Sequence, residues 1–239
     1  MNSDLIQNFE SPESLAETAA RDWLEELSSR APHSGPYAVA LSGGRITNTF
    51  FNALVDQAAE TSSAFELVHF FWADDRCVGP DDADSNFKQT SELLFTPLNI
   101  NTEQVHRIQG ELEPKRAAEL ASADLTEFFA QRTEGDRRFD RIFLGMGEDG
   151  HTASLFPGES EDVMSDATLY RAVVASKPPP NRITLGYDVI ANAKEVVALV
   201  SGSGKETALR ESLSPKGNTP MARVIQSRGE TRILTDVSL

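Results

Sequence analysis

Strand-length apolar runs alternate with amphipathic helical segments almost from one end of this chain to the other, and that order constrains the fold more than any other feature. A strand repeatedly followed by a helix before the next strand reads as βαβ units, whose crossovers enforce a parallel sheet covered by helices. Strands are expected at residues 38–41, 67–72, 105–108, 141–144, 170–175, 183–187, 196–200 and 232–234. Helices are expected near 12–29, 47–60, 85–95, 113–131, 188–194, 205–213 and 219–226. The first helix is the best marked: Ser11 suits the N-cap, Pro12 suits N1, and Leu15, Ala19, Trp23 and Leu27 fall on one face. Neither the polar 79–84 stretch nor the Lys177-Pro178-Pro179-Pro180 connection reads as a domain linker, and no repeat is present. The expectation is therefore one α/β domain over residues 1–239, doubly wound, with a mainly parallel, Rossmann-like sheet and helices on both faces.

Composition narrows the function classes. The chain has 239 residues, 39% hydrophobic and 25% charged, enough to bury a sizeable core. A formal charge of −15 argues against nucleic acid, because binding a phosphate backbone needs a basic surface. No segment approaches the apolar length of a membrane span, and the Met1 to Ile6 segment lacks a basic start and an apolar run, so a cytoplasmic location is expected. The single cysteine, Cys77, excludes an internal disulfide and a thiolate zinc cluster. His33, His69, His106 and His151 show no metal-ligand spacing, so no metal is expected. The same negative charge means that an anionic metabolite would need cations focused in one cleft.

In open α/β sheets ligands bind beyond the carboxyl ends of the strands, so the loops there carry the chemistry. After the 38–41 strand, Ser42-Gly43-Gly44-Arg45 leads into a helix. This is either an anion site of exposed amides and a helix N-terminus or an ordinary turn, and the preceding residues also approximate a nucleophile elbow lacking its first glycine. After the 67–72 strand come Trp72-Ala73-Asp74-Asp75-Arg76-Cys77 and then Asp84-Ser85-Asn86-Phe87, a set of carboxylates beside an arginine that could bind a ligand or form a surface ion-pair cluster. After the 141–144 strand, Gly145-Met-Gly-Glu-Asp149-Gly-His151-Thr-Ala-Ser-Leu-Phe156-Pro157 places a carboxylate one residue from a histidine, a pairing suited to proton transfer near neutral pH. Its match to G-x-G-x-x-G carries little weight, since Pro157 interrupts the helix that would hold a pyrophosphate. Further on, Arg182-Ile-Thr opens a strand and Ser201-Gly-Ser-Gly204-Lys205 closes one, without completing a P-loop.

Taken in order, these motifs resemble the 6-phosphogluconolactonase family, within the superfamily that also holds the glucosamine-6-phosphate deaminases. The resemblance spans most of the chain, and the Gly145 to Pro157 motif is present without a gap. It implies hydrolysis of 6-phospho-D-glucono-1,5-lactone to 6-phosphogluconate, in the oxidative pentose phosphate pathway, without metal or organic cofactor, on a small-molecule phosphosugar lactone as partner. It leaves a monomer and a homodimer open. His151, oriented by Asp149, is the expected base, with Arg76 and glycine-loop amides at the oxyanion. Ser42, Gly43, Gly44, Arg45, Asp74, Arg182 and Lys205 are expected to hold the phosphosugar. Two departures stand out: the family's usual Ser-Thr-Pro after the glycines is Arg45-Ile46-Thr47, and Asp75 replaces a glutamate. The deaminases carry a further glutamate where this chain has Phe156. A non-catalytic sugar-phosphate sensor and a serine hydrolase using Ser42 are the remaining alternatives.

Overall fold

The computed structural model describes residues 6–31, 34–58 and 62–239; His33, the Met1 to Leu5 segment and the last two positions of the expected 47–60 helix lie outside them. Nine strands are present among the described residues: β1 (Ile6–Asn8), β2 (Tyr37–Leu41), β3 (Val68–Trp72), β4 (Asp74–Arg76), β5 (Arg141–Gly145), β6 (Tyr170–Val174), β7 (Asn181–Leu185), β8 (Glu195–Val200) and β9 (Arg232–Thr235). The helices are α1 (Pro12–Ser29), α2 (Arg45–Ala58), α3 (Asn86–Thr90), α4 (Thr96–Leu98), α5 (Pro114–Ala130), α6 (Glu161–Met164), α7 (Tyr187–Asn192), α8 (Glu206–Leu213) and α9 (Pro220–Gln226). A π-helical turn, Ser91–Phe95, joins α3 to α4, where one helix is expected from the sequence.

Six strands form a parallel sheet in the order β1-β9-β8-β5-β2-β3. From β2 the chain moves outward to β3 and then returns to lay β5 against the other side of β2. This reversal opens a crevice at the carboxyl ends of β2 and β5. Every residue of β2 is buried, so both faces of the sheet are covered, as expected for a doubly wound α/β fold. On α1, Ser11 accepts from the Ser14 amide at 3.2 Å, and the buried face carries Trp23, whose ring packs edge-on against Phe143 of β5 at 5.0 Å. That contact braces the strand that feeds the histidine loop.

Two sequence expectations need correction. The 170–175 and 183–187 runs do not join the parallel sheet; they form, with β4, a separate antiparallel sheet in the order β4-β7-β6. The short 175–180 connection cannot span a parallel crossover, which needs about a dozen residues. The 105–108 run makes only one bridge, from Val105 to Phe70. It then turns away from the sheet so that Gly110 can lie against the backbone of Arg76 and Val78, where a Cβ would stand 2.5 Å from the Arg76 carbonyl oxygen. Among the described residues no helix is long and apolar enough to cross a membrane.

The outer strand β3 carries a titratable chain away from the crevice. His69 Nδ1 lies 3.0 Å from His106 Nε2, and His106 Nδ1 lies 3.0 Å from Asp124 of α5. Burial, then the neighbouring His106 and Arg132, push the His69 pKa down from 6.5 to about 4. The folded state therefore keeps His69 neutral where the unfolded chain would protonate it. The stability this gives is complete above pH 6.5 and is lost as pH falls from there toward 4. Allowing for partial exposure, about 2 kcal/mol is at stake. Urea titrations of His69→Gln between pH 7 and 4.5 should show a shallower loss of stability than wild type; parallel curves would refute the assignment.

Candidate active site

A cleft of about 200 Å³ lies over the carboxyl ends of β2 and β5. Its walls include Ser42, Gly43, Gly44, Arg45, Asp74, Arg76, His151, Arg182 and Lys205, which brings together every expected site residue except Asp149, and Asp149 reaches the cleft through His151. A roomier cleft of about 870 Å³ opens at the opposite ends of the strands, around Tyr37, Asp140 and Glu195. Most of its charges are paired: Arg132 and Lys194 both reach Asp140 at 2.9 Å, and Arg141 reaches Glu26 at 2.8 Å. That end of the sheet is an ion-pair network.

The glycine loop is shaped by close approach. A Cβ on Gly43 would stand 1.9 Å from Asn86 Oδ1, and Gly44 adopts φ 115°, a conformation that side chains resist. The helix α2 begins at Arg45 rather than at Thr47, so its N-terminal amides and the exposed Arg45 side chain stand at the cleft mouth. Ser42 gives its hydroxyl proton to the Phe143 carbonyl at 2.9 Å, and Thr47 gives its own to the Gly43 carbonyl at 3.3 Å. Both hydroxyls are thus paired with main-chain carbonyls, and among the described residues Ser42 has no side-chain hydrogen bond to a base that would make it a nucleophile.

The histidine loop is equally tight. His151 Nδ1 is 2.5 Å from Asp149 Oδ1, and the His151 amide donates to the same oxygen at 3.1 Å. Burial opposes the charge on Asp149, yet these two hydrogen bonds hold its carboxyl below the ordinary carboxylate range. The carboxylate thereby fixes the tautomer, leaving Nε2 as the free basic nitrogen. No helix follows Gly150 until α6, which disposes of the dinucleotide reading. The Phe156 ring lies 5.0 Å from the His151 ring at a tilt of 38°, and the Arg182 guanidinium lies 5.7 Å from the Phe156 centroid.

The cations fall into two pairs. Arg76 on β4 and Arg182 on β7 are directly opposite in the ladder, and burial followed by the charge of Arg76 lowers the Arg182 pKa. Like charges so placed repel unless an anion lies between them. Arg76 Nη1 donates to the Asp84 carbonyl at 2.5 Å, and its Nε is buried without a partner among the described residues. At the other end, burial and then Arg45 lower the pKa of Lys205. Asp74, only 4% exposed, accepts from Ser154 Oγ at 2.7 Å.

Two residues of the site were not expected as such. Asn86 lines the cleft and donates through Nδ2 to the Asp74 carbonyl at 2.9 Å; its signal was the Asp84-Ser85-Asn86-Phe87 motif, which gave no hint of contact with Gly43. Ser154 ties the histidine loop to β4, through a contact far too remote in sequence to read from spacing. Asp75, by contrast, faces away from the cleft. Burial pushes its pKa up to about 6, against the pull of the amides of Asn86, Arg76 and Phe87.

Residues 10–233 match the family model described as glucosamine-6-phosphate isomerases/6-phosphogluconolactonase. The chain belongs to that family. It is 35% identical over 206 residues to a 6-phosphogluconolactonase of Aggregatibacter actinomycetemcomitans, covering 84% of this chain and 85% of the relative. It is 37% identical over 186 residues to that of Treponema pallidum, covering 77% and 75%. Among solved structures, the 6-phosphogluconolactonase of Thermotoga maritima superposes with a TM-score of 0.77 at 26% identity, covering 96% of each chain.

Proposed function

We propose that this protein hydrolyses 6-phospho-D-glucono-1,5-lactone to 6-phosphogluconate, with His151 as the proton-transfer group. The observation that carries this reading is an imidazole oriented by Asp149 on the wall of a cleft holding four cationic side chains. Such a cleft suits a phosphorylated ester whose breakdown passes through an oxyanion. His151 Nε2 takes a proton from water as its oxygen attacks the lactone carbonyl carbon. The C–O bond to the ring oxygen then breaks, and the imidazolium returns the proton to that oxygen. The new carboxylic acid ionises into solvent. Arg76, on the cleft wall, stabilises the oxyanion, a contribution of about 3 kcal/mol by comparison with other oxyanion donors.

The phosphate belongs with the α2 N-terminus, Gly43 and Gly44, Arg45 and Lys205, while Asp74 accepts from a sugar hydroxyl and Arg182 adds charge from the far wall. Phe156 supports hydrolysis over deamination, because an aromatic ring at that position offers no carboxylate for proton transfer. Lys205 holds a group that does not react, so its loss should weaken substrate and transition state alike. Lys205→Ala is expected to raise KM by about 10- to 100-fold with kcat changed less than about threefold. Acid release from freshly generated lactone measures this, and an unchanged KM would move the phosphate elsewhere.

A further inference from the structure

On β4 the side chains alternate, so Asp74 and Arg76 face the cleft while Asp75 points to the other side. There its carboxylate, 2% exposed, is saturated with donors. Oδ1 accepts from the amides of Arg76 and Asn86, both at 2.7 Å, and Oδ2 accepts from the Phe87 amide at 3.1 Å and from Ser85 Oγ at 3.4 Å. One side chain thus pins both ends of the 76–87 segment. The second link is Asn86, also 2% exposed, which donates to the Asp74 carbonyl and presses its Oδ1 against Gly43. A buried carboxylate is an expensive way to stabilise a sheet, since apolar packing would serve as well. What it supplies here is geometry.

We infer that Asp75 is a positioning residue for the reaction: by clamping the Ser85 hydroxyl and the Asn86 and Phe87 amides it seats Asn86, and Asn86 sets the approach of the Gly43 loop to β4. Asp75 touches no ligand. Its effect passes through Asn86 to the loop assigned above to the phosphate, and the inference rests on that assignment.

Asp75→Asn turns one acceptor oxygen into a donor facing N–H groups, so the clamp opens without a change of size. The expected result is a rise in KM of about tenfold with kcat within about threefold, alongside a urea midpoint measured on the same protein. Asn86→Ala, which leaves the amides on Asp75 in place, should raise KM to a similar degree. The double variant should lose no more than the worse single, because the two residues act in series. A lowered midpoint with KM unchanged in both single variants overturns the inference, as do losses that multiply in the double. Should Asp75→Asn fail to fold, Asn86→Ala decides alone, and an unchanged KM there is fatal. Lys205→Ala separates the two claims. An unchanged KM in that variant faults the phosphate assignment, whereas a raised KM there with a normal KM in Asn86→Ala faults only the role of Asp75.

Discussion

Replacing His151 with alanine is expected to lower kcat by about 10² to 10⁴ while leaving KM nearly unchanged. Among the described residues the imidazole makes no hydrogen bond to the assigned phosphate subsite, so its removal should leave ground-state binding largely intact. What disappears is the group that takes a proton from water and later gives it to the ring oxygen. The side chain is partly exposed and among the described residues its only side-chain hydrogen bond is with Asp149, so the fold should tolerate the change. The measurement is acid release from freshly generated lactone, with the spontaneous hydrolysis of the lactone subtracted at each concentration. Turnover near the wild-type value would remove His151 from the reaction and leave the proton transfer to another group on the cleft wall.

Gly147→Ala is expected to produce nearly the same phenotype without touching the histidine. A Cβ at this position would stand 2.1 Å from both Cε1 and Nδ1 of His151 and 2.8 Å from Asp149 Oδ1. Neither side chain is locked in by the core, so the collision is relieved by swinging the imidazole away rather than by unfolding the loop. The Asp149 contact at 2.5 Å is then broken, and with it the tautomer and aim of the ring. A loss of about 100-fold in kcat is expected, because misplacement by about 1 Å suffices for that. The unfolding free energy from urea titration should stay within about 1 kcal/mol of wild type. A Gly147→Ala enzyme with full activity would show that the Asp149–His151 pairing is dispensable.

The contrast between what was and was not legible follows from which forces leave a mark in sequence. The strands of the parallel sheet advertise themselves because both of their faces are buried, so Ala38 to Leu41 and Val196 to Val200 are continuous apolar runs. β4 is invisible to the same reading. Asp74 and Arg76 face a ligand cleft and Asp75 faces a ring of amides, so hydrophobic periodicity has nothing to report. β1 is too short, at three residues, to register. Of the candidate site, the residues proposed to meet the ligand were readable because charged or titratable types beside a glycine are unusual: Arg45, His151 and Lys205 each follow one, and Asp149 precedes one. The residues that hold those in place were not. Asn86, Ser154 and Asp75 act through contacts between distant parts of the chain, and their side chains are of kinds found on any surface.

The passage of the chain from one sheet to the other takes a single residue. Ala73 donates its amide to Leu41 of the parallel sheet at 2.7 Å and accepts at its carbonyl from Leu185 of the antiparallel one at 2.8 Å. On one side of that joint stand the glycine loop, Arg45, His151 and Lys205; on the other stand Asp74, Arg76 and Arg182. The distance between the two groups of cations is thus set first by main-chain hydrogen bonding at Ala73, and the side-chain contacts of Asn86 and Ser154 with Asp74 hold the two sides at that spacing. The cleft works as a caliper whose jaws are two sheets and whose pivot is one alanine.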